Sequence, residues 1–261
     1  MKTKQWLVVL CVLFVAVGYG TVASAEWHFG IGTGLFRLNI DGDMGFDTNL
    51  RGPIELDVDL DPDDISDLME SAFGLAGYAT DGKWMIQYSL GQLKLEDDPS
   101  TTLSGGASVS SDLGFDLING ELTIGYPLFA SDRVTFGVHG GVRYTDHELD
   151  ADITVVDGGG TTDLSKDIDE DWTDAVIGLS ADVRLAEKWT WNNRVNAGFG
   201  GSEGTYMAST GISWRLFEHW STTLYGKYMA VEYENGDKGD SDWYLYDVDE
   251  FGVGLSILFH W

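Results

Sequence analysis

The sequence has very little cysteine, proline or positive charge, and each shortage excludes a class of structure or partner. Cys11 is the single cysteine, and proline accounts for 4 of the 261 residues. Beyond the segment that contains Cys11, no thiol remains for a disulfide, a thiolate metal site or a cysteine nucleophile. Only 15 basic residues oppose 43 acidic ones, for a formal charge of -28, which argues against nucleic acid partners.

Long apolar runs are also scarce, and the one at the N-terminus is typical of a targeting segment. Residues 6–17 form an apolar stretch behind Lys2 and Lys4, and small residues at 23–25 offer a cleavage site. The run is shorter than the roughly 20 residues of a membrane helix. We therefore expect residues 1–25 to be a cleaved signal peptide and residues 26–261 to form the exported domain.

The mature sequence is dominated by alternation. In residues 133–145, apolar side chains alternate with small or polar ones, and this period of two recurs along the chain. The segments predict ten strands, with eight or twelve as alternatives. A change of phase near Asn119 and Gly120 predicts a bulge. Glycine is abundant, at 34 residues, as expected for a narrow barrel filled by its own side chains.

The connections between these strands alternate between short and long. The long ones, at 39–70, 96–111, 146–171 and 232–242, hold most of the acidic residues. A soluble β-sandwich would have no reason to collect acids at one end. The pattern predicts an all-β fold: a closed antiparallel transmembrane β-barrel with short periplasmic turns and long acidic extracellular loops.

Residues at the strand ends of the apolar face are predicted to contact the lipid interface. Aromatic side chains there match the interfacial girdles of membrane barrels, and two bases near the outer ends are placed to reach lipid phosphates. The predicted interface residues are Arg37, Lys94, Trp84, Trp189, Trp191, Trp214, Trp220 and Trp261.

The signal peptide, the alternating strands and the final "FGVGLSILFHW" resemble small outer-membrane β-barrel proteins of Gram-negative bacteria, the superfamily that includes the OmpA barrel and OmpW. The resemblance implies location in the cell outer membrane, contact with its lipids and lipopolysaccharide, and insertion by the barrel assembly machinery with periplasmic chaperones. In that superfamily, a last strand that ends on an aromatic residue is the signal for barrel assembly. The corresponding residues here are Phe251, Val253, Leu255, Ile257, Phe259 and Trp261. We expect a monomer.

Charged residues also fall on the predicted inner face. They are Glu121, Arg143, Asp174, Asp182, Arg184, Arg194, Arg215, Lys227 and Glu250. One interpretation is a plug, because buried charges need partners. The other is a narrow path for ions or small polar solutes.

An acidic stretch has the spacing of calcium ligands. Asp59, Asp61, Asp63, Asp67 and Glu70 occupy positions 1, 3, 5, 9 and 12 of an EF-hand-like loop, although an aspartate stands where that loop needs glycine. The stretch can also be a short helix with Asp61 as its N-cap. Loosely bound Ca²⁺ or Mg²⁺ is the only cofactor that we consider.

Catalysis is not expected. The omptin proteases, which also have ten strands, use an Asp-His pair at the outer rim, and Asp146-His147 lies at that level with Asp57 and Asp59 as nearby acids. Adjacent strand residues point to opposite faces, so this pair does not fit. No His and Ser are placed for a lipid-modifying enzyme. The sequence favours a structural or interaction role in which acidic loops contact lipopolysaccharide and divalent cations. The alternative is a narrow channel or transporter for ions or small, including apolar, molecules.

Overall fold

The computed structural model describes residues 27–48, 52–97, 100–102, 108–157 and 160–261. The predicted signal peptide, residues 1–25, lies outside the described residues and stays a prediction. The described part is almost entirely extended chain. Its strands are β1 (His28–Thr48), β2 (Gly52–Leu60), β3 (Met69–Thr80), β4 (Met85–Asp97), β5 (Ser100–Thr102), β6 (Ser108–Ala130), β7 (Val134–Asp157), β8 (Gly160–Ala186), β9 (Trp189–Phe199), β10 (Gly204–Phe217), β11 (Trp220–Asn235) and β12 (Tyr244–His260).

Ten of these strands close into one antiparallel barrel, as predicted. Closure is made by β12 against β1, with partners from Gly30 opposite His260 to Phe46 opposite Tyr244. The final apolar stretch is therefore the closing strand beside the first one. Closure pairs the first and last strands of the sheet with each other, as a membrane-spanning sheet requires, and residues 34–39 of β1 are the stretch without a partner strand on the side of β3.

The two remaining strands are additions at the outer end of the barrel. β1 pairs with β3 only as far as Thr33, and from Ile40 outward its neighbour on that side is β2. β5 pairs with β6 in the same way. The helix α1 (Pro62–Leu68) follows β2, and no helix among the described residues has the length and hydropathy needed to cross a membrane.

Below its middle, the barrel has the surface of a membrane protein. On β12 the lipid-facing side chains of Phe251, Val253 and Leu255 are each more than half exposed, whereas Gly252 and Gly254 face inward and are buried. All six predicted interfacial tryptophans are exposed, by 41% to 54%, and lie at the end with the short turns. We call this region, which includes residues 251–261 of β12, the membrane-level half.

Above its middle, the barrel inverts this arrangement. The inward side chains of β12 become large and buried, at 1% exposure for Tyr244 and Tyr246 and 2% for Val248, and the outward ones become Asp247 and Asp249. The same inversion occurs on β8, where buried Trp172 alternates with exposed Asp171. We call this region the outer half. Its interior is a hydrophobic core rather than a polar lumen.

Several segments predicted as long loops belong to this outer half as strands. The β7–β8 hairpin continues its ladder from the membrane out to Asp157 opposite Gly160. In sequence, residues 146–157 still alternate, and the acids simply occupy the phase that lipid-facing residues occupy below. The acids that were expected in loops therefore lie mainly on extended, paired strands, where backbone hydrogen bonds hold them in register.

The bulge predicted near Asn119 and Gly120 is wrong. β6 pairs with β7 without a register shift from Ser108 to Pro127, and the irregularity lies between Pro127 and Phe129. The change of phase at Asn119 has a different cause. Leu117, one step outward on the inner face, is buried in the core of the outer half, whereas Ile124 is exposed to lipid below. The apolar face of β6 changes from outward to inward because the surroundings of the barrel change from lipid to water.

The helix α1 packs between β1 and β4, beside the lower part of the core of the outer half. Asp61 is its N-cap and accepts hydrogen bonds from the amides of Asp63 and Asp64, with Pro62 as the first helical residue. The amides of Asp64 and Asp63 lower the pKa of Asp61, so this cap stays ionised. Ile65 is the buried residue of the helix, and it belongs to the same apolar cluster as Ile40 and Leu95.

Candidate functional site

A charged layer closes the barrel at the boundary between its two halves. Glu121 on β6 accepts from the guanidinium of Arg143 at 2.6 Å through one oxygen and from that of Arg194 at 3.0 Å through the other. The Arg143 side chain is 2% exposed and Glu121 is 11% exposed. One carboxylate therefore bridges the buried guanidinium group of Arg143 and the partly buried one of Arg194. Because an unpaired buried charge costs several kcal/mol, this triad keeps its members together.

Arg194 on β9 extends the layer across the lumen. Its remaining N–H groups donate to Gln87 Oε1 at 2.9 Å, Thr123 Oγ1 at 2.8 Å and His139 Nε2 at 3.1 Å. His139 accepts this bond, so that nitrogen carries no proton. Gly178 allows the packing, because a Cβ there would clash with the His139 ring. The hydrogen bonds of Arg194 span β4, β6 and β7, which tie opposite walls together.

Asp174 on β8 anchors the other side of the layer. Its carboxylate accepts from the amides of Gly201 and Ser202 at 3.0 and 2.8 Å and from the Ser202 hydroxyl at 2.8 Å. Thr205 joins Asp174 to Arg143, because Arg143 donates to Thr205 Oγ1 at 3.0 Å and this hydroxyl lies 3.3 Å from Asp174. The short outer connection at 200–204 is held down by this aspartate.

The other predicted lumen charges lie at different depths. Glu250 is buried on the inner face of β12, where Lys227 and Arg143 attract its charge. Asp182 lies towards the periplasm and accepts from Asn192 at 2.8 Å. Arg184 and Arg215 lie lower still, at the periplasmic mouth. The predicted cluster is thus a central layer with two outlying arginines.

Aromatic rings seal the lumen directly above this layer. His147 on β7 is 1% exposed and lies 4.8 Å from the ring of Trp172 and 4.3 Å from that of Tyr246, centroid to centroid. Trp172 stacks on Tyr233 at 4.0 Å. His147 Nδ1 and the Tyr244 hydroxyl are 3.0 Å apart. The charged layer and the aromatic core thus lie one above the other across the described part of the lumen.

Outward-facing acids encircle the outer half and form what we call the outer acidic belt. On neighbouring strands they lie directly opposite one another: Asp146 faces Asp171, and Glu148 faces Asp169. Like charges directly opposite on a sheet are destabilising. The belt comprises Asp41, Asp43, Asp116, Asp146, Glu148, Asp150, Asp167, Asp169, Asp171, Glu232, Glu234, Asp247 and Asp249.

One part of the belt has the geometry of a cation site. Oxygens of Asp146, Glu148 and Asp169 all lie within 4.8 Å of one another. The Tyr144 hydroxyl, two residues closer to the membrane, donates to Asp146 at 3.0 Å. Carboxylate oxygens at this spacing suit Ca²⁺ or Mg²⁺. The trio was not predicted from the sequence, because residues 146–171 were expected to form a loop.

The residues that were predicted to hold calcium are arranged differently. Asp59 lies on β2, one residue before its end, and Asp61 is the N-cap of α1. Asp63 forms an ion pair with Arg37, and Glu70 forms one with Lys94. Asp67 is exposed on α1. Among the described residues these five form no group that could share an ion. The helix interpretation of this stretch is confirmed.

Arg37, opposite Val253 on β12, and Lys94, opposite Asp116 on β6, lie near the boundary of the two halves, and both have carboxylate partners. Arg37 contacts Asp63 at 2.5 Å, and Lys94 contacts Glu96 at 2.6 Å as well as Glu70. Arg37 keeps a 61% exposed side chain. Both bases thus fasten α1 and its flanking chain to the barrel, and their contact with lipid phosphates stays a prediction.

The adjacent Asp146 and His147 point to opposite faces. His147 is enclosed by rings inside the outer core, and Asp146 belongs to the belt outside. Asp57 and Asp59 are exposed on β2. The Asp-His pairing that an omptin mechanism would need does not form from these residues.

Comparison with solved structures agrees with this architecture. The outer membrane protease OmpT from Escherichia coli superposes with a TM-score of 0.59 at 8% identity, covering 92% of this chain and all of that one. This chain has the fold of the Gram-negative outer-membrane β-barrels. The translocator domain of the autotransporter NalP from Neisseria meningitidis superposes on this chain with a lower TM-score of 0.45, at 10% identity. The match covers 98% of this chain and 95% of that domain. No protein-family model and no curated protein sequence matches.

Proposed function

We propose that this outer-membrane barrel has a structural or interaction role, in which its outer acidic belt binds divalent cations and, through them, the phosphates of lipopolysaccharide. The observation that carries the proposal is the pairing of like charges across β7 and β8, at Asp146 with Asp171 and Glu148 with Asp169. Such pairs repel unless a counterion lies between them. Lipopolysaccharide is itself anionic, so a divalent cation is the natural bridge between the two.

The position of the belt supports this partner. Tyr206 and Tyr228 are 55% and 40% exposed on the outward face and mark the upper limit of the lipid-facing band. Tyrosines at this depth are typical of the headgroup interface. The trio of Asp146, Glu148 and Asp169 begins two residues beyond Tyr144 on the same face of β7. We therefore expect the trio to lie at the level of the lipid phosphates.

The closed lumen supports a role on the surface rather than through the pore. Glu121, Arg143 and Arg194 occupy the middle of the barrel, and the rings around His147 fill the space above them. The channel alternative requires this layer to part. A protease role would need an Asp-His pair on one face, and the positions of Asp146 and His147 do not provide it.

The proposal is tested by measuring lipopolysaccharide binding to the refolded barrel with Mg²⁺ and with EDTA. We expect binding that needs Mg²⁺ and that weakens at least about tenfold in the Glu148→Gln/Asp169→Asn variant. The Asp132→Asn/Glu218→Gln variant, which removes the same charge from the periplasmic turns, should bind like the parent protein. Equal binding with EDTA, or equal loss in both variants, would show that the belt is not the site.

A further inference from the structure

The membrane-level half contains a cavity of about 390 Å³ that opens at the periplasmic mouth. Its charged lining residues are Arg184 on β8, Lys188 in the following turn and Arg215 on β10, with a single carboxylate, Glu187, at the rim. We call it the cationic vestibule. In a chain with a formal charge of -28, three bases against one acid is a local reversal of sign.

The two arginines of the vestibule differ from those of the charged layer. Arg143 and Arg194 are each paired with Glu121. Within the described part of the chain, Arg184 and Arg215 have no carboxylate within ion-pair distance, and their side chains stay exposed to the lumen. Their guanidinium groups are therefore accessible to a ligand in the vestibule.

A second observation points into the same space. His260, the last residue of β12, lines the vestibule. Its Nε2 atom is buried without a hydrogen-bond partner in the described structure. A buried polar atom left unpaired costs about 1–3 kcal/mol. The neighbouring wall is also polar, since Ser213 bonds Asn192 at 2.6 Å and Thr223 at 2.7 Å. All nine residues that line the vestibule have polar or charged side chains.

The vestibule opens at the periplasmic end of the barrel. Arg194 and Glu121 of the charged layer bound the second, smaller cavity of about 220 Å³ that lies further in, next to Tyr78 and Gln87. Beyond them the lumen is filled. A ligand would therefore enter from the periplasm and leave the same way, without crossing the membrane.

We propose that the cationic vestibule is a binding site for a small soluble solute that carries a phosphate group. Guanidinium groups match phosphate oxygens through paired N–H donors, and two of them converge here with an ammonium group. The volume is in the range of small-molecule sites, which is roughly 300–1,000 Å³. This proposal does not depend on the role of the outer acidic belt, which lies at the opposite end of the barrel.

The test is isothermal titration of the refolded full barrel in zwitterionic detergent at low salt. The probes are inorganic phosphate and glycerol 3-phosphate, with glycerol as the uncharged control. We expect both phosphate probes to bind and glycerol not to bind. The Arg184→Gln/Arg215→Gln variant should bind at least about tenfold more weakly. Arg133→Gln, at an exposed turn outside the cavity, should leave the affinity unchanged.

Two results would overturn the proposal. One is the absence of binding by either phosphate probe up to about 10 mM, a concentration at which even a weak site would fill. The other is an equal affinity in the double variant and the parent barrel. If the double variant does not refold, Arg215→Lys keeps the charge but loses the paired donors. An unchanged affinity in Arg215→Lys would then contradict bidentate recognition.

Discussion

The two halves of this barrel use opposite arrangements of the same alternation. In the membrane-level half, apolar side chains such as Val253 face outward and glycine faces inward. In the outer half of the same strand, Tyr246 faces inward and Asp247 faces outward. The environment outside changes from lipid to water at this level, so the apolar face changes sides. The charged layer of Glu121, Arg143 and Arg194 lies where the two arrangements meet.

The largest effect is expected at the meeting point of the halves. Glu121→Leu removes the carboxylate that pairs with both Arg143 and Arg194, and should lower the free energy of unfolding by roughly 3–5 kcal/mol, because the buried guanidinium group of Arg143 loses its ion-pair partner. Urea unfolding in lipid vesicles measures this loss. Glu218→Leu, in an exposed turn, should change stability by less than about 0.5 kcal/mol. Similar losses in the two variants would mean that the layer does not hold the halves together.

A matched pair of substitutions on one strand tests the inversion itself. Val253→Lys puts a charge on the lipid-facing surface and should cost up to about 2–4 kcal/mol. Asp247→Lys, on the same outward face of β12 but in the outer half, should cost less than about 0.5 kcal/mol. The free energy of unfolding of both variants in vesicles gives the comparison. If Asp247→Lys costs as much as Val253→Lys, then lipid reaches both levels and the division is wrong.

A smaller, pH-dependent effect should separate the interiors of the halves. Burial lowers the pKa of His147, in the outer half, to about 3 from its ordinary 6.5. Below pH 6.5 the unfolded chain therefore binds a proton that the folded barrel does not. The stability that neutral His147 contributes is present above pH 6.5 and falls as the pH drops towards 3, by at most about 1.4 kcal/mol per pH unit.

The variant His147→Phe should remove this part of the acid sensitivity. The measurement is the free energy of unfolding between pH 6 and pH 4, as the difference between the variant and the parent barrel. His28→Phe, at an exposed position on β1, is the control and should keep the parent slope. Parallel slopes for His147→Phe and the parent would indicate that His147 is protonated in the folded state.

The sequence was sufficient for the closed ten-strand barrel because the alternation of the membrane-level half is strict. Residues such as Val253 and Gly254 repeat it without interruption in the closing strand. The inner face was also predictable, and it includes Glu121, Arg143 and Arg194. The pairing of these three residues was not predictable. Partners from distant strands, such as Gln87 for Arg194, are brought together only by barrel closure.

The outer half was harder to predict for a physical reason. A segment with an acid in every second position was predicted to be a solvated loop, because a membrane-spanning strand was expected to present an apolar face to lipid. Trp172 and Ile168 in fact keep the period of two beside Asp169 and Asp171, with the apolar residues turned inward. The candidate metal-binding trio of Asp146, Glu148 and Asp169 comes from two neighbouring strands, so its geometry follows from the register of these strands.

The central claim is that the barrel is closed at the level where its halves meet, and planar-bilayer conductance tests it most directly. The refolded wild-type barrel should give no stable current steps, because Arg194 and its partners span the lumen and the rings around His147 fill the space above. Stable openings of the wild-type protein, with an ion selectivity that changes in Arg194→Gln, would contradict the account and establish the lumen as a path.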